Sequence, residues 1–159
     1  MRLSLIILTG WLLTLGGCAS KSYNVGADQS VLFPAGSYTH EIAITTSQQQ
    51  TYSFNGVVKI SPEKIVVVGL SVFQTTAFRI SEDRTTGKVD SDIFLEPLKR
   101  HKDSLLDFYS TLSRFLKLPR GGKMEGVNVL HYDAHGIPDE ITLSHPKYQV
   151  WVKVVAYEI

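Results

Sequence analysis

The chain has 159 residues but a single cysteine, Cys18. A disulfide within the chain is therefore excluded, since no second cysteine is present. The chain also lacks a clear excess of either charge, since it has 16 basic and 15 acidic side chains. Nucleic-acid-binding domains usually carry a clear basic excess. This balance argues against a nucleic-acid partner.

The sequence also lacks the short motifs that mark common enzymes. It contains no phosphate-binding loop, dinucleotide fingerprint or nucleophile elbow. Gly121, Gly122 and Lys123 share only a fragment of a phosphate loop and are better explained as the end of a helix. We expect a non-enzymatic protein without a cofactor.

The first 17 residues have the pattern of a secretory signal. Arg2 gives a positive start, residues 3–15 are almost wholly apolar, and Gly16 and Gly17 are small. The apolar run is shorter than the about 18 residues needed to span a bilayer. We therefore interpret residues 1–17 as a signal peptide.

The residues around Cys18 resemble a bacterial lipobox, in which small residues directly precede a cysteine. That resemblance implies that the Cys18 thiol is acylated and becomes the first residue of the mature chain. Several acyl chains together anchor a protein firmly, whereas one alone binds marginally. Residue 19 is Ala rather than Asp, and in similar enterobacterial lipoproteins this favours the outer membrane, on its periplasmic face. The predicted partner is thus the membrane, reached through N-terminal acyl chains.

Removal of the leader leaves 142 residues with 15 basic and 15 acidic side chains, enough for one domain with a core. We interpret residues 18–36 as the lipidated cysteine and a flexible tether, and residues 37–159 as the domain. Within the domain, alternating or continuous apolar runs predict strands. The predicted strands cover residues 37–46, 51–60, 65–70, 73–80, 89–95, 126–132, 140–143 and 148–158.

One segment changes to helical spacing. From residue 103 to residue 118 the apolar side chains form one broad stripe, and Pro119 ends the pattern. A single helix cannot cover both faces of a large sheet, so the sheet should curve around it. We predict an α+β fold: a strongly curved antiparallel sheet, or half-barrel, of about seven or eight strands, with one long amphipathic helix packed on the concave face.

Three consecutive segments carry a family resemblance. They are FNGVVKI at 54–60, SPEK at 61–64 and IVVVGLSVFQTTAFRI at 65–80. Together with the leader, they resemble the LolA/LolB-like superfamily, and more closely a family of small outer-membrane lipoproteins, some of which accompany aryl-polyene synthesis clusters. The resemblance implies a half-barrel with a helical lid and an apolar cavity. It also implies an exposed loop with an apolar residue that contacts lipid, for which Leu70, Val72 and Phe73 are the candidates.

Several aromatic and aliphatic residues are candidates for the lining of such a cavity, although an ordinary core position is the safer interpretation of any one of them. They are Tyr38, Ile42, Tyr52, Phe54, Phe78, Phe108, Phe115 and Trp151.

A metal site is a weak alternative. His131, Asp133 and His135 alternate, and imidazole with carboxylate suits zinc. However, Asp133 to Gly136 has the composition of a turn, which we favour. No metal is therefore predicted.

Two functions remain in competition. The protein either binds or transfers an apolar ligand, such as an acyl chain or a lipoprotein in transit, or it is an interaction module of an envelope assembly with other envelope proteins and no ligand cavity.

Overall fold

The computed structural model describes residues 31–159. The predicted signal peptide, Cys18 and most of the predicted tether lie outside the described residues. The described part forms eight strands. They are β1 (Gly36–Thr46), β2 (Thr51–Ile60), β3 (Lys64–Leu70), β4 (Thr76–Asp83), β5 (Val89–Ile93), β6 (Val127–Tyr132), β7 (Pro138–His145) and β8 (Tyr148–Glu158).

All eight strands belong to one antiparallel sheet in the order β5-β4-β3-β2-β1-β8-β7-β6. β1 lies at its centre and pairs with β8, the last strand of the chain. β5 and β6 do not pair with each other, so the sheet formed by residues 31–159 is open, with β5 and β6 at its edges. The predicted antiparallel sheet of about seven or eight strands is thus confirmed, with eight strands.

Two helices connect β5 to β6. α1 (Glu96–Lys99) is a single turn that the sequence analysis did not predict, and α2 (Lys102–Leu116) is the amphipathic helix. α2 ends two residues before the predicted end, and Lys117 and Leu118 continue it only as a turn, through bonds to Ser113 and Phe115. Across residues 31–159, neither helix combines the length and apolar character that a membrane crossing requires.

The core lies between α2 and one face of the sheet. Alternate residues of the strands point to this face, for example Tyr38 and Ile42 in β1, and Val150 and Val152 in β8. α2 contributes its apolar stripe to the same core. Its buried apolar residues are Phe108, Tyr109, Leu112, Phe115 and Leu116. Burial of this shared face is the main source of stability.

The domain begins earlier than predicted. Leu32 and Phe33 are 1% and 2% exposed, and the Leu32 amide donates to the Leu118 carbonyl at 2.9 Å. Phe33 packs edge-on against Tyr38 and Phe115, with ring centres 5.5 and 5.6 Å away. The assignment of residues 31–36 to a flexible tether was wrong, because two large apolar side chains in that stretch complete the core.

β4 also differs from its prediction. It begins at Thr76 rather than at residue 73, because residues 71–75 form a tight turn. Ser71 donates its amide to the Thr75 carbonyl at 2.8 Å, and Gln74 adopts a positive φ of 59°. Val72 and Phe73 therefore leave the sheet, although their β-branched and aromatic character favours a strand.

Two glycines meet on the buried face, where Gly56 of β2 pairs with Gly69 of β3. A Cβ atom on Gly69 would lie 2.1 Å from Cε1 of Phe78, whereas one on Gly56 would lie 3.0 Å from Cδ1 of Ile42. The Phe78 ring thus occupies the space that a side chain at residue 69 would fill.

We predict that Gly69→Ala destabilises the domain by about 1–3 kcal/mol, because the added methyl group overpacks the site. Gly56→Ala is the matched control and should cost less, since its single close neighbour is a flexible side-chain end. Urea denaturation followed by circular dichroism measures both. Equal losses for the two variants would contradict this account of the Gly69–Phe78 contact.

Candidate functional site: the interior beneath α2 and the 71–75 loop

The space enclosed between α2 and the sheet is small, about 20 Å³. A single water molecule needs about 10–15 Å³ measured in this way, and sites for small organic ligands usually measure about 300–1,000 Å³. The expected apolar hollow is therefore filled. Aromatic side chains fill this space. The main ones are Phe78, which lies over Gly69, and Phe108 and Phe115 from α2.

Five of the eight predicted lining residues do surround this small space. They are Ile42, Phe54, Phe78, Phe108 and Phe115. They come from β1, β2, β4 and α2, so the sequence grouped residues that are distant in the chain but adjacent in the fold. With the space filled, they act as core side chains.

The other three predicted residues lie elsewhere. Tyr38 is fully buried beside the N-terminal segment, and its hydroxyl donates to the Pro34 carbonyl at 2.7 Å. Tyr52 is 56% exposed and donates to Gln50 Oε1 at 2.8 Å. Trp151 points to the opposite face of the sheet, where its Nε1 donates to Glu140 Oε1 at 2.8 Å. Assigning these three to the interior cavity was wrong.

A polar residue that was not predicted to line the interior does so. His40 is 4% exposed, and among residues 31–159 its Nδ1 has no hydrogen-bond partner. Burial lowers the pKa of His40 to about 4, despite a backbone hydrogen bond involving Tyr38 that opposes the shift. His40 is therefore neutral at pH 7. Its place in the alternation of β1, between the buried Tyr38 and Ile42, puts it on the core face of the sheet.

A buried carboxylate holds α2 to the sheet. Glu82 of β4 is 5% exposed and accepts hydrogen bonds from the Tyr109 hydroxyl at 2.8 Å and the Ser113 hydroxyl at 2.6 Å, and it also pairs with the Lys117 ammonium. Burial alone would raise its pKa, but these donors outweigh burial and lower it. One pattern in the sequence pointed to this site, since Tyr109 and Ser113 in α2 and Lys117 just after it recur every four residues.

The loop of residues 71–75 presents apolar side chains to solvent. Val72 is 80% exposed and Phe73 is 86% exposed, while Leu70 is half-buried at the end of β3. The Ser71 hydroxyl lies 2.7 Å from Thr75 Oγ1 and accepts from the Phe73 amide at 3.2 Å. A hydrogen-bonded turn thus holds two neighbouring apolar side chains in solvent, and exposed apolar surface of this kind is found where proteins contact a partner or a membrane.

A second apolar element lies at the same end of β4. Phe94 follows β5, is 58% exposed, and donates its amide to the Ala77 carbonyl at 2.9 Å. Ala77 is the second residue of β4, and β4 begins directly after the 71–75 loop. Phe94 was predicted only as the end of a strand, so its part in an exposed apolar surface was missed.

An open groove adjoins the loop on the side of Trp151. It has a volume of about 380 Å³, and Val72, Trp151, Ile42 and Phe54 are among its lining residues. The groove brings one of the predicted loop residues together with three of the predicted ligand-binding residues. Its volume falls within the range of small-molecule sites.

Residues 133–136 form a turn, as expected. Asp133 Oδ1 accepts from the amides of His135 and Ile137 at 2.9 and 2.8 Å, and Gly136 has a φ of 74°. His131 turns instead toward Asp139, with 2.6 Å between Nδ1 and Oδ1. In the described part of the chain, no group of three or more His, Cys, Asp or Glu side chains is arranged to hold a metal ion.

A scan against protein-family models finds no match to this chain, and a search of curated proteins finds no significant relative. The likeness to LolA/LolB-like proteins therefore remains a resemblance in sequence segments.

We predict that the domain loses stability as the pH falls from 7 to 5. In the folded state the pKa of His40 is about 4, below the usual 6.5, so the unfolded chain binds a proton first. The expected loss is about 2 kcal/mol at pH 5, and it is complete only below pH 4.

Urea denaturation at both pH values measures this loss, and His40→Leu is the informative variant because it keeps an apolar side chain at the site. The carboxylates with lowered pKa values, Glu82 and Asp133, lose their contribution only at lower pH. A His40→Leu protein with an undiminished loss between pH 7 and pH 5 would rule out His40 as the cause.

Proposed function

We propose that this protein is a non-enzymatic lipoprotein of the bacterial envelope, anchored through Cys18 to the periplasmic face of the outer membrane, that binds or passes on an apolar ligand such as an acyl chain. The observation that carries the proposal is the exposure of Val72 and Phe73 on a hydrogen-bonded loop. The ligand meets the protein at this loop and in the adjoining groove, since the interior is filled.

The energetics of the loop support contact with lipid. Full burial of a Val or Phe side chain stabilises a complex by about 1.5–3 kcal/mol. The free energy gained by transferring Val72, Phe73 and Phe94 into the acyl layer of a membrane would be several times the thermal energy. Lys99, Arg100 and Lys102 follow Phe94 closely and are exposed, so they are available to anionic headgroups.

The groove beside the loop gives an acyl chain a place to lie. Val72 stands at one side of it and Trp151 at another, while Ala43 and Ser53, which pair across β1 and β2 beside Trp151, lie between them. Charged and polar side chains such as Glu41 and Asn55 border the same groove. A chain lying there would keep its polar end in water.

We infer that the sheet curves around α2 in the half-barrel manner of the proteins it resembles. Residues of β2, β3 and β4 and residues of β7 and β8 line the same small space beneath one helix. A flat sheet would place these strands too far apart to share it, because neighbouring strands are about 4.8 Å apart.

A second candidate function is an interaction module of an envelope assembly. The filled interior favours it, since a fully packed core needs no ligand. On that reading, Val72 and Phe73 meet a protein rather than a lipid.

For the lipid-binding function, we predict that replacing both Val72 and Phe73 with Ser weakens binding of the unlipidated chain, residues 19–159, to anionic phospholipid vesicles by tenfold or more. The physical reason is the loss of about 3–6 kcal/mol of apolar transfer, part of which offsets the cost of binding. Vesicle co-sedimentation measures the affinity. Fluorescence of Trp151, the single tryptophan after residue 18, gives a second readout with brominated lipids.

Leu130→Ser is the matched control. Leu130 is 50% exposed on β6, at the far edge of the sheet from the loop, and its replacement should leave vesicle binding unchanged. If the double variant binds vesicles as the unmodified protein does, the lipid-binding function is rejected. Specific protein partners that are lost from the double variant would then establish the interaction module.

A further inference from the structure

The outer edge of β5 offers unused backbone hydrogen bonds. Bonds from the Asp83 amide to the Lys88 carbonyl, 2.9 Å, and from the Phe94 amide to the Ala77 carbonyl, 2.9 Å, fix the phase of the β4–β5 ladder. By alternation, the amides and carbonyls of Val89, Ser91 and Ile93 point away from β4. Within residues 31–159, these amides and carbonyls have no hydrogen-bond partner.

A groove runs between this edge and α2. Its volume is about 630 Å³. Val89, Asp90 and Ser91 form one wall, and Leu106, Tyr109 and Ser110 are part of the helical wall. Because Glu82 pairs with Val89 and bonds to Tyr109 and Ser113, the Val89 end of β5 lies beside the second half of α2.

An added strand would face groups of opposite charge on its two sides. On the side of α2, Lys102 lies at one end of the groove, and Arg114, more than three turns away, lies at the other with Lys117 just past the helix. On β5, Asp90 and Asp92 point to the face of the sheet away from α2, since they pair with Ser81 and Arg79. Asp90 has only an exposed pair with Lys88, at 3.1 Å, which contributes little.

We propose that this groove, bounded by β5 and α2, binds an extended peptide segment of another protein as a ninth strand. The added strand bonds to Val89, Ser91 and Ile93. Its residues facing α2 are acidic at both ends, opposite Arg114 and Lys102, and apolar in the middle, against Leu106. Its residues on the other face are basic and lie beside Asp90 and Asp92.

A second copy of this chain fits the same edge poorly. Antiparallel pairing of two β5 strands about Ser91 would place Asp90 of each copy opposite Asp92 of the other, and like charges in that position are destabilising. The opposite edge of the sheet, β6, has register shifts near Val129 and His131 that disrupt regular pairing. β5 is therefore the edge suited to a foreign strand.

The test uses the full chain, purified in detergent, and two fluorescent peptides. One has the sequence Lys-Glu-Lys-Val-Lys-Glu-Lys, which is long enough when extended, about 20 Å, to span the five residues of β5. The other exchanges every Lys and Glu. Fluorescence anisotropy should show saturable binding of the first peptide, about tenfold tighter than the second.

Two variants separate strand addition from general charge attraction. Ser91→Pro removes an amide from the free edge without removing a β4–β5 bond, and should weaken binding of the first peptide about tenfold. Replacing both Asp90 and Asp92 with Lys should reverse the preference between the peptides. Circular dichroism establishes that each variant is folded, and the charge exchange tests the proposal even if Ser91→Pro does not fold.

Several results would overturn the proposal. They are the absence of saturable binding, equal affinity for both peptides, an unchanged preference after the charge exchange, or an Asp-dependent dimer of the chain in place of peptide binding. The double variant Val72→Ser and Phe73→Ser should bind the peptide normally, because neither residue lines the groove. Failure of the lipid-binding function is thus distinguishable from failure of this one.

Discussion

One helix has to cover the apolar face of an eight-stranded sheet, and the rest of the structure follows from that constraint. α2 has 15 residues, and its buried side chains share a core with six strands. The coverage is completed by Leu32 and Phe33 and by the ring of Phe78 over Gly69. The helix is fixed in place by the Glu82 carboxylate, whose three donors all come from α2 or the residue that follows it.

The same constraint explains why the interior is filled and why other surfaces are not. Large aromatic side chains allow a short helix to close the sheet, and they leave only about 20 Å³ beneath it. The parts of the sheet that α2 does not cover remain exposed. β5 lies beyond its flank and keeps a free edge, and the 71–75 loop extends past the ends of the strands with Val72 and Phe73 in solvent.

The sequence predicted most of the sheet because its alternation is regular. β1, β2 and β8 match their predictions to within one residue. The errors have local causes. Residues 73–75 look like strand but are taken into a turn by hydrogen bonds of Ser71, and residues 31–36 look like a linker because only Leu32 and Phe33 carry large apolar side chains. The candidate site was harder to predict, since residue type does not distinguish a core aromatic such as Phe108 from one that lines a cavity.

On the proposed anchoring at Cys18, the point where the chain enters the domain would set how the body faces a membrane. Val31 pairs with Pro119 just beyond α2, at the end of β4 where Glu82 meets Lys117, whereas the 71–75 loop lies at the other end of β4. An anchor at Cys18 would therefore hold the body from the end opposite Phe73. Fully extended, residues 18–30 reach about 45 Å, against about 26 Å for the length of β4. On the proposed anchoring at Cys18, that length would let the body turn over and lay its loop on the same bilayer.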